Sequence, residues 1–193
     1  MASALEDDLH MPELKDFASS VAIIVSSCDA FFDAWRPQER EAVAQHREEV
    51  RRLLAATDAV VLAGGHVGLL ARLLHLFHVA PSMPRTVVAW SAGAMALTER
   101  IVLFHDHVAH GVAQTEVFGE GIGLVPGLVL LPHARRRLRV DDPVRMGVLA
   151  RRFAPARCAV LDDGVRLPLG RDGSLPPGAR VVAEDGRITE LAA

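Results

Sequence analysis

Ser91 lies in a run of mostly small residues, Ala89-Trp90-Ser91-Ala92-Gly93, directly after a short apolar segment. A serine on a turn between a strand and a helix has the geometry of a nucleophile elbow, in which the hydroxyl is exposed and the next backbone N–H can hold an oxyanion. Small residues suit this turn because it leaves little room for branched side chains beside the sheet. The segment therefore predicts Ser91 as a nucleophile with the Ala92 N–H as an oxyanion donor, and a simple helix N-cap serine is the alternative.

Gly64 and Gly65 end the apolar run that precedes this one in the chain. The carboxyl ends of neighbouring parallel strands meet at one edge of a sheet, so we expect the two glycines to lie beside Ser91. An unobstructed backbone N–H at this position is a candidate second oxyanion donor. A flexible turn is the alternative interpretation.

His133 is the histidine best placed to act as the base that a serine nucleophile needs. It follows the apolar residues 128–131 and Pro132, at the end of another predicted strand. We expect the carboxyl end of this strand to lie on the same ligand-binding edge as Ser91. A surface histidine in a basic loop is the alternative.

A run of cations follows His133 directly, and it is formed by Arg135, Arg136, Arg137 and Arg139. A guanidinium group binds a carboxylate through two parallel hydrogen bonds, so the run indicates an acidic ligand. A solvated helix start is the alternative, and it accounts for at least two of the four arginines.

The densest titratable cluster of the chain consists of His105, Asp106, His107 and His110. Two imidazoles at positions i and i+2 of a strand share a face, so a metal site is one hypothesis for this cluster. The stronger hypothesis is that Asp106 accepts the Nδ1–H of His133 and stabilises the imidazolium. The further candidates for this orienting carboxylate are Glu99, Glu116 and Glu120.

Strand-like apolar runs alternate with helical patterns in the first half of the chain. Three βα units are predicted: residues 21–25 with a helix from Pro37 to about residue 56, residues 59–63 with a helix over 67–79, and residues 86–90 with a helix ending near residue 99. Such units predict an α/β fold, a three-layer sandwich whose mostly parallel central sheet is flanked by helices and has right-handed crossovers.

The second half of the chain predicts shorter elements. Strands are expected at residues 101–104 and 128–131, and a helix capped by Asp142 is expected to run to residue 153. The tail consists of apolar runs separated by Asp-Gly turns, at residues 158–161, 165–169, 180–183 and 187–191. We expect these runs to form an antiparallel C-terminal extension of the main sheet.

The composition of the 193 residues favours one domain at 20–193, preceded by an N-terminal arm at 1–19. A net charge of -3 excludes a general nucleic-acid binder.

Cys28 and Cys158 are too few for a disulfide framework, which favours a cytoplasmic location. The acidic N-terminus and the absence of a long apolar run predict a soluble protein without a signal peptide or a membrane partner. Lys15 is the only lysine and tyrosine is absent, so neither type is expected as a catalytic base.

Four segments occur in an order that resembles the S51 family of serine peptidases. They are Ala63-Gly64-Gly65, Trp90-Ser91-Ala92-Gly93-Ala94, Gly121-Ile122-Gly123-Leu124, and Pro132-His133 with Arg137 and Arg139. The family includes the aspartyl dipeptidases and the cyanophycinases, and its fold is similar to that of class I glutamine amidotransferases. The resemblance covers residues 58–170.

The resemblance implies a serine-type peptidase that cleaves a small peptide with an acidic residue and uses no cofactor. It implies Ser91 as nucleophile, His133 as base, and Gly65 with the Ala92 N–H as oxyanion hole. The third member of the triad is expected a little over a dozen residues after the serine, where Asp106 lies. A homodimer is left open.

The resemblance also assigns substrate-binding residues. Arg137 and Arg139 are expected to bind the carboxylates of the substrate. His66 stands where the family usually has Asn, Asp or Gly, so we expect it to shape the substrate pocket. Ala89 replaces a glycine usual at this position.

Two other classes of function stay open at this point. A catalytically degenerate relative would bind a ligand or a partner without turnover, and the short region before Asp58 motivates this alternative. A hydrolase that uses a metal held by His105, His107 and His110 is the third.

Overall fold

The computed structural model describes residues 30–31, 33–104 and 115–192, with the backbone alone at residues 104 and 115–118. The chain divides into two compact units, Met1–Arg36 and Pro37–Ala193. In the first unit, the rings of Phe31 and Trp35 stack with centroids 6.0 Å apart. The predicted arm at residues 1–19 and the predicted strand at residues 21–25 lie outside the described residues.

The described α-helices of the second unit are α1 (Glu41–Ala55), α2 (Val67–Leu76), α3 (Ala92–Ala96), α4 (Ala134–Arg137) and α5 (Pro143–Phe153). Short 3-10 helices occur at Pro37–Glu39 and Ala80–Ser82. Helix α5 begins where predicted, because Pro143 suits a first helical position and the Asp142 carboxylate accepts the Arg145 N–H at 3.1 Å. In the described ranges, no helix is both long and apolar enough to cross a bilayer.

The strands of the second unit are β1 (Ala59–Leu62), β2 (Thr86–Ala89), β3 (Arg100–Phe104), β4 (Thr115–Glu120), β5 (Leu128–Pro132), β6 (Arg157–Leu161), β7 (Arg180–Val182) and β8 (Ile188–Glu190). Strands β1 and β2 pair in parallel, as do β5 and β6. Strands β3 and β4 pair antiparallel, and β7 and β8 extend β6 in antiparallel order. The structure therefore confirms a mixed α/β fold with partly parallel strands.

Strand β5 is the centre of the core, and every one of its residues is buried. Val129 packs with Phe153 of α5 on one face of the sheet, while Leu130 packs with Ala94 of α3 on the other. Successive side chains of a strand point to opposite faces, which explains why a strand covered on both sides is apolar throughout. Strand β5 thus packs against α3, the helix after Ser91, on one face and against α5 on the other.

The structure differs from the prediction in the number of sheets and in two strands. Among the described residues the strands form three separate sheets, where one continuous sheet was predicted. Residues 165–169 form no strand, since Pro168 cannot donate to a ladder, and Leu167 and Leu169 pack against the cluster around Leu130 instead. Strand β4 was not predicted because Glu116, Gly119 and Glu120 weaken its apolar pattern, and pairing with β3 stabilises it.

Cys158 of β6 is expected to resist alkylation in the native protein. Burial raises the pKa of its thiol from 9.0 to about 12, which lowers the thiolate fraction about a thousandfold at mildly alkaline pH. The measurement is timed iodoacetamide labelling of a Cys28→Ser variant, followed by mass spectrometry, with and without guanidinium. Equal labelling rates in the native and the unfolded chain would contradict the expected protection.

Candidate active site

Ser91 occupies a strained backbone conformation between β2 and α3. Its φ is 52° and its ψ is -121°, a region that residues with a Cβ rarely adopt. Such a sharp turn raises the side chain above the end of the strand, as in a nucleophile elbow. The conformation agrees with the elbow predicted from the sequence and differs from an ordinary N-cap, since the Ser91 side chain makes no capping hydrogen bond.

Gly93 allows this turn to pack against the end of β1. A Cβ atom built on Gly93 would lie 2.1 Å from the Leu62 carbonyl oxygen and 2.7 Å from that of Ala63. No side chain fits at such distances, so the absence of a Cβ is a packing requirement. The start of α3 therefore approaches the backbone of β1 closely and places Ser91 at the carboxyl edge of the β1–β2 pair.

The paired glycines lie beside Ser91, as their position in the sequence predicted. A Cβ atom on Gly64 would be 3.2 Å from the Cβ of Ser91 and 3.5 Å from its Oγ. Gly65 has a φ of 130° and open space around the position of a Cβ. Ala92 is the first residue of α3, where backbone N–H groups have no intrahelical partner. The paired glycines and the start of α3 thus both adjoin the serine.

His133 follows β5 directly and has a left-handed conformation, with φ 55° and ψ 37°. Its backbone N–H donates to the Leu161 carbonyl at 3.0 Å, which ties it to the end of β6. Its Nδ1 lies 2.8 Å from Oδ1 of Asp163. A carboxylate only accepts hydrogen bonds, so Nδ1 carries the proton and Nε2 is left as the basic nitrogen.

Asp163 is the candidate site residue that the sequence did not indicate, and it contacts His133 directly. It follows β6, so Ser91, His133 and Asp163 all come after the carboxyl ends of strands that belong to parallel pairs. Its position after a parallel strand is the signal that also indicates His133, although the Asp-Gly pair at 163–164 is equally typical of a turn. The Asp163 side chain is 88% exposed.

Asp162 holds the loop that carries Asp163. Its carboxylate accepts the backbone N–H of Arg135 at 3.0 Å and lies 3.5 Å from Nη1 of Arg180. Only 14% of the Asp162 side chain is exposed, in contrast to the open Asp163. Asp162 therefore links the start of α4 to the end of β6, and it keeps His133 and Asp163 close together.

An open cleft of about 910 Å³ joins these residues. Ser91 of the elbow and the His133–Asp163 pair all line it, so the structure brings the predicted nucleophile and base to one cavity. Three arginines lie on its walls, and they are Arg85, Arg166 and Arg171. Within the described part of the chain, no hydrogen bond joins the Ser91 hydroxyl to His133.

The other carboxylates considered for the triad lie elsewhere. Asp106 is outside the described residues, as are His105, His107 and His110 of the metal hypothesis and the side chain of Glu116. Glu99 accepts the Gly127 N–H at 3.1 Å, and Glu120 lies at the end of β4, where its carbonyl oxygen is 3.3 Å from Nε2 of His75. In the described ranges, no group of three or more His, Cys, Asp or Glu side chains is arranged to hold a metal.

The three predicted substrate-binding residues are not part of the cleft lining. Arg137 is half-buried at the end of α4, and Arg139 follows it with an exposed side chain. His66 is the N-cap of α2, where its Nδ1 accepts the Leu69 N–H at 3.2 Å. This capping role explains a polar acceptor after the paired glycines without any contact to substrate.

A scan of the chain against profiles of known protein families finds no match, and a search of curated protein sequences finds none either. The function proposed below is therefore supported by the geometry of the site and by the motif resemblance.

Proposed function

We propose that this protein is a serine hydrolase of short peptides that contain aspartate, in Asp-X or β-aspartyl linkage, similar to the S51 peptidases. The observation that carries the proposal is the cleft that joins the strained Ser91 elbow to the His133–Asp163 pair. A nucleophile, a base and an orienting carboxylate around one cavity form the constellation of serine-dependent acyl transfer. Arg85, Arg166 and Arg171 on the cleft walls support an acidic substrate.

In the proposed mechanism, Nε2 of His133 takes the proton of the Ser91 hydroxyl as Oγ attacks the scissile carbonyl carbon. The N–H groups of Gly65 and Ala92 hold the resulting oxyanion, and Asp163 stabilises the imidazolium. The C–N bond then breaks, and the leaving amine receives the proton from His133. Water, deprotonated by the same nitrogen, releases the acid product and restores the serine.

We further propose that the described parallel pairs belong to the three-layer arrangement of the class I glutamine amidotransferase-like fold. The support is that β1–β2 and β5–β6 end at the same cleft, as neighbouring strands of such a sheet would. Burial of β5 on both faces is typical of the central strands of this architecture.

A fluorophosphonate probe, which phosphonylates activated serines, tests the proposal without knowledge of the substrate. We expect wild type and a Ser82→Ala control to be labelled at one site and Ser91→Ala to remain unlabelled. Ser82 is a suitable control because it lies in the 3-10 helix Ala80–Ser82 and does not line the cleft. Equal labelling of wild type and Ser91→Ala would overturn Ser91 as the nucleophile.

The absence of a described hydrogen bond between Ser91 and His133 favours a second candidate function. In that case the protein is a catalytically degenerate relative that binds an acidic peptide in the cleft without cleaving it. Tight peptide binding by isothermal titration calorimetry, together with no probe labelling and no hydrolysis, would establish this second function in place of the first.

Asp163→Asn is expected to lower kcat on the best Asp-X dipeptide by about a hundredfold. An amide in this position no longer stabilises the imidazolium or selects the right tautomer, although the high exposure of Asp163 makes the effect smaller than for a buried triad carboxylate. Steady-state kinetics is the measurement, with Asp185→Asn in the β7–β8 turn as the matched control. If Asp106→Asn lowered kcat more than Asp163→Asn, the carboxylate that orients His133 would be Asp106.

A further inference from the structure

His133 has a strained backbone conformation that its neighbours must hold in place. Its φ of 55° and ψ of 37° are left-handed, and a residue with a Cβ persists in this region only where the surrounding structure fixes it. On one side of the turn, the His133 N–H donates to the Leu161 carbonyl at 3.0 Å. On the other side, the Arg135 N–H donates to Oδ1 of Asp162 at 3.0 Å. The end of β6 thus holds the turn that carries the imidazole from both sides.

Asp162 can hold this turn only while its own carboxylate is fixed. Its side chain is 14% exposed, so water stabilises little of its charge, and a carboxylate in such a place needs a cationic partner. Two guanidinium groups lie near its second oxygen, Oδ2, with Nε of Arg135 at 3.4 Å and Nη1 of Arg180 at 3.5 Å. The Arg135 side chain is 71% exposed and that of Arg180 only 28%. Because water screens an exposed ion pair, Arg180 is the partner that fixes Asp162.

Arg180 comes from a part of the chain that is separate from the site. It begins β7, the antiparallel strand that pairs with β6, and it follows the residues 58–170 that resemble the serine peptidases. Arg180 is not part of the cleft lining, so it is not placed to contact a substrate bound beside Ser91. Any effect of its guanidinium on the site must therefore pass through Asp162.

We propose that Arg180 is a positioning residue for the hydrolysis. It neutralises the Asp162 carboxylate and holds Oδ2, which keeps Oδ1 directed at the Arg135 N–H and fixes the left-handed turn at His133. With Asp162 held in this way, the next residue, Asp163, is the carboxylate that faces Nδ1 of His133 at 2.8 Å. This inference rests on the proposed function and adds to it a residue that supports the base from the C-terminal extension of the sheet.

The test is a double-mutant cycle of Arg180→Met and Asp162→Asn in the full-length protein, read out by kcat on the best Asp-X dipeptide and by the rate of fluorophosphonate labelling. Asparagine keeps an oxygen that can accept the Arg135 N–H. Arg180→Met is expected to lower both rates about tenfold and to change KM less than about twofold, because a displaced imidazole impairs proton transfer and leaves substrate binding intact. In the Asp162→Asn background, the same substitution should change the rates less than about twofold, since the guanidinium then has no charge to hold.

Further variants separate positioning from a general effect on the fold. Arg180→Lys keeps a cation and should stay within about threefold of the wild-type rates. Arg187→Met is the matched control, because its guanidinium belongs to the same hairpin and lies 3.7 Å from Asp185 in an exposed pair, and it should leave both rates unchanged. If thermal unfolding shows that Arg180→Met does not fold, Arg180→Gln takes its place in the cycle. An equal loss of rate in both backgrounds, or the same loss in Arg187→Met, would overturn the proposal.

A spectroscopic measurement distinguishes failure of this proposal from failure of the proposed function. Nitrogen-15 NMR of the His133 imidazole, assigned with His133→Gln, reports which ring nitrogen carries the proton whether or not a peptide is cleaved. In mildly alkaline solution, we expect the proton on Nδ1 in wild type, opposite Asp163, and a mixture of both tautomers in Arg180→Met. An unchanged tautomer in Arg180→Met would overturn the positioning role and leave the hydrolase in place. If no peptide is cleaved and the probe labels nothing, the hydrolase fails, and the tautomer alone decides whether Arg180 positions the imidazole.

Discussion

Ser91→Ala is expected to lower kcat/KM for the best Asp-X substrate by about ten-thousandfold or more. The hydroxyl oxygen is the attacking atom of the proposed mechanism, and no neighbouring nucleophile in the described part of the cleft can replace it. The free energy of unfolding should change little, because alanine keeps both the Cβ and the strained φ of 52°. Steady-state kinetics with the dipeptide panel, supported by chemical denaturation, measures both quantities.

Ser91→Gly distinguishes a catalytic serine from a merely structural one, because activity and stability are expected to change in opposite directions. Glycine adopts a positive φ without a steric cost, so this variant should be inactive and yet more stable than wild type by about 1 kcal/mol. Retained hydrolysis in either variant would overturn the nucleophile. A loss of stability in Ser91→Gly would show that the elbow conformation carries no strain.

Gly93→Ala is expected to destabilise the protein by about 3 kcal/mol and to inactivate it at the same time. The added Cβ would lie 2.1 Å from the Leu62 carbonyl oxygen, and a backbone atom cannot move aside as a flexible side chain can. Helix α3 must therefore shift away from β1, and this shift moves Ser91 relative to His133. For a chain of this length, the loss corresponds to a fall in Tm of about 6 to 12 °C.

Gly119→Ala is the matched control for this prediction. Gly119 of β4 has no positive φ, and a Cβ there would contact nothing within 4 Å. It should change the free energy of unfolding by less than about 1 kcal/mol and leave kcat unchanged. If the two variants were equally stable, the close approach of α3 to β1 would be contradicted.

Local patterns predicted most of the elements near the site. The apolar runs of β1, β2 and β5 are short and are rich in β-branched residues or follow a glycine directly, and that of β6 is short and apolar; runs of this kind are typical of buried parallel strands. The cap at Asp142 predicted the start of α5 for a similar reason, because a side chain three residues away satisfies the first N–H groups. Such signals lie within a few residues of the element they determine.

The elements that were missed depend on partners distant in the chain. Strand β4 has a weak pattern of its own and is stabilised by pairing with β3. The His133–Asp163 contact joins residues 30 positions apart, and no local periodicity encodes it. Asp106 lies closer to Ser91 in the sequence than Asp163 does, whereas Asp163 directly follows the strand that pairs with β5.

The sequence by itself determined the α/β class, the elbow at Ser91 and the placement of Gly64 and His133 at strand ends. These follow from local sterics and from the rule that parallel strands end at one edge. Only the tertiary structure decided which carboxylate faces His133, that His66 caps α2, and that the cleft arginines are Arg85, Arg166 and Arg171 and do not include Arg137 or Arg139. The physical reason is that a loop side chain points wherever its packed neighbours direct it, and those neighbours come from other parts of the chain.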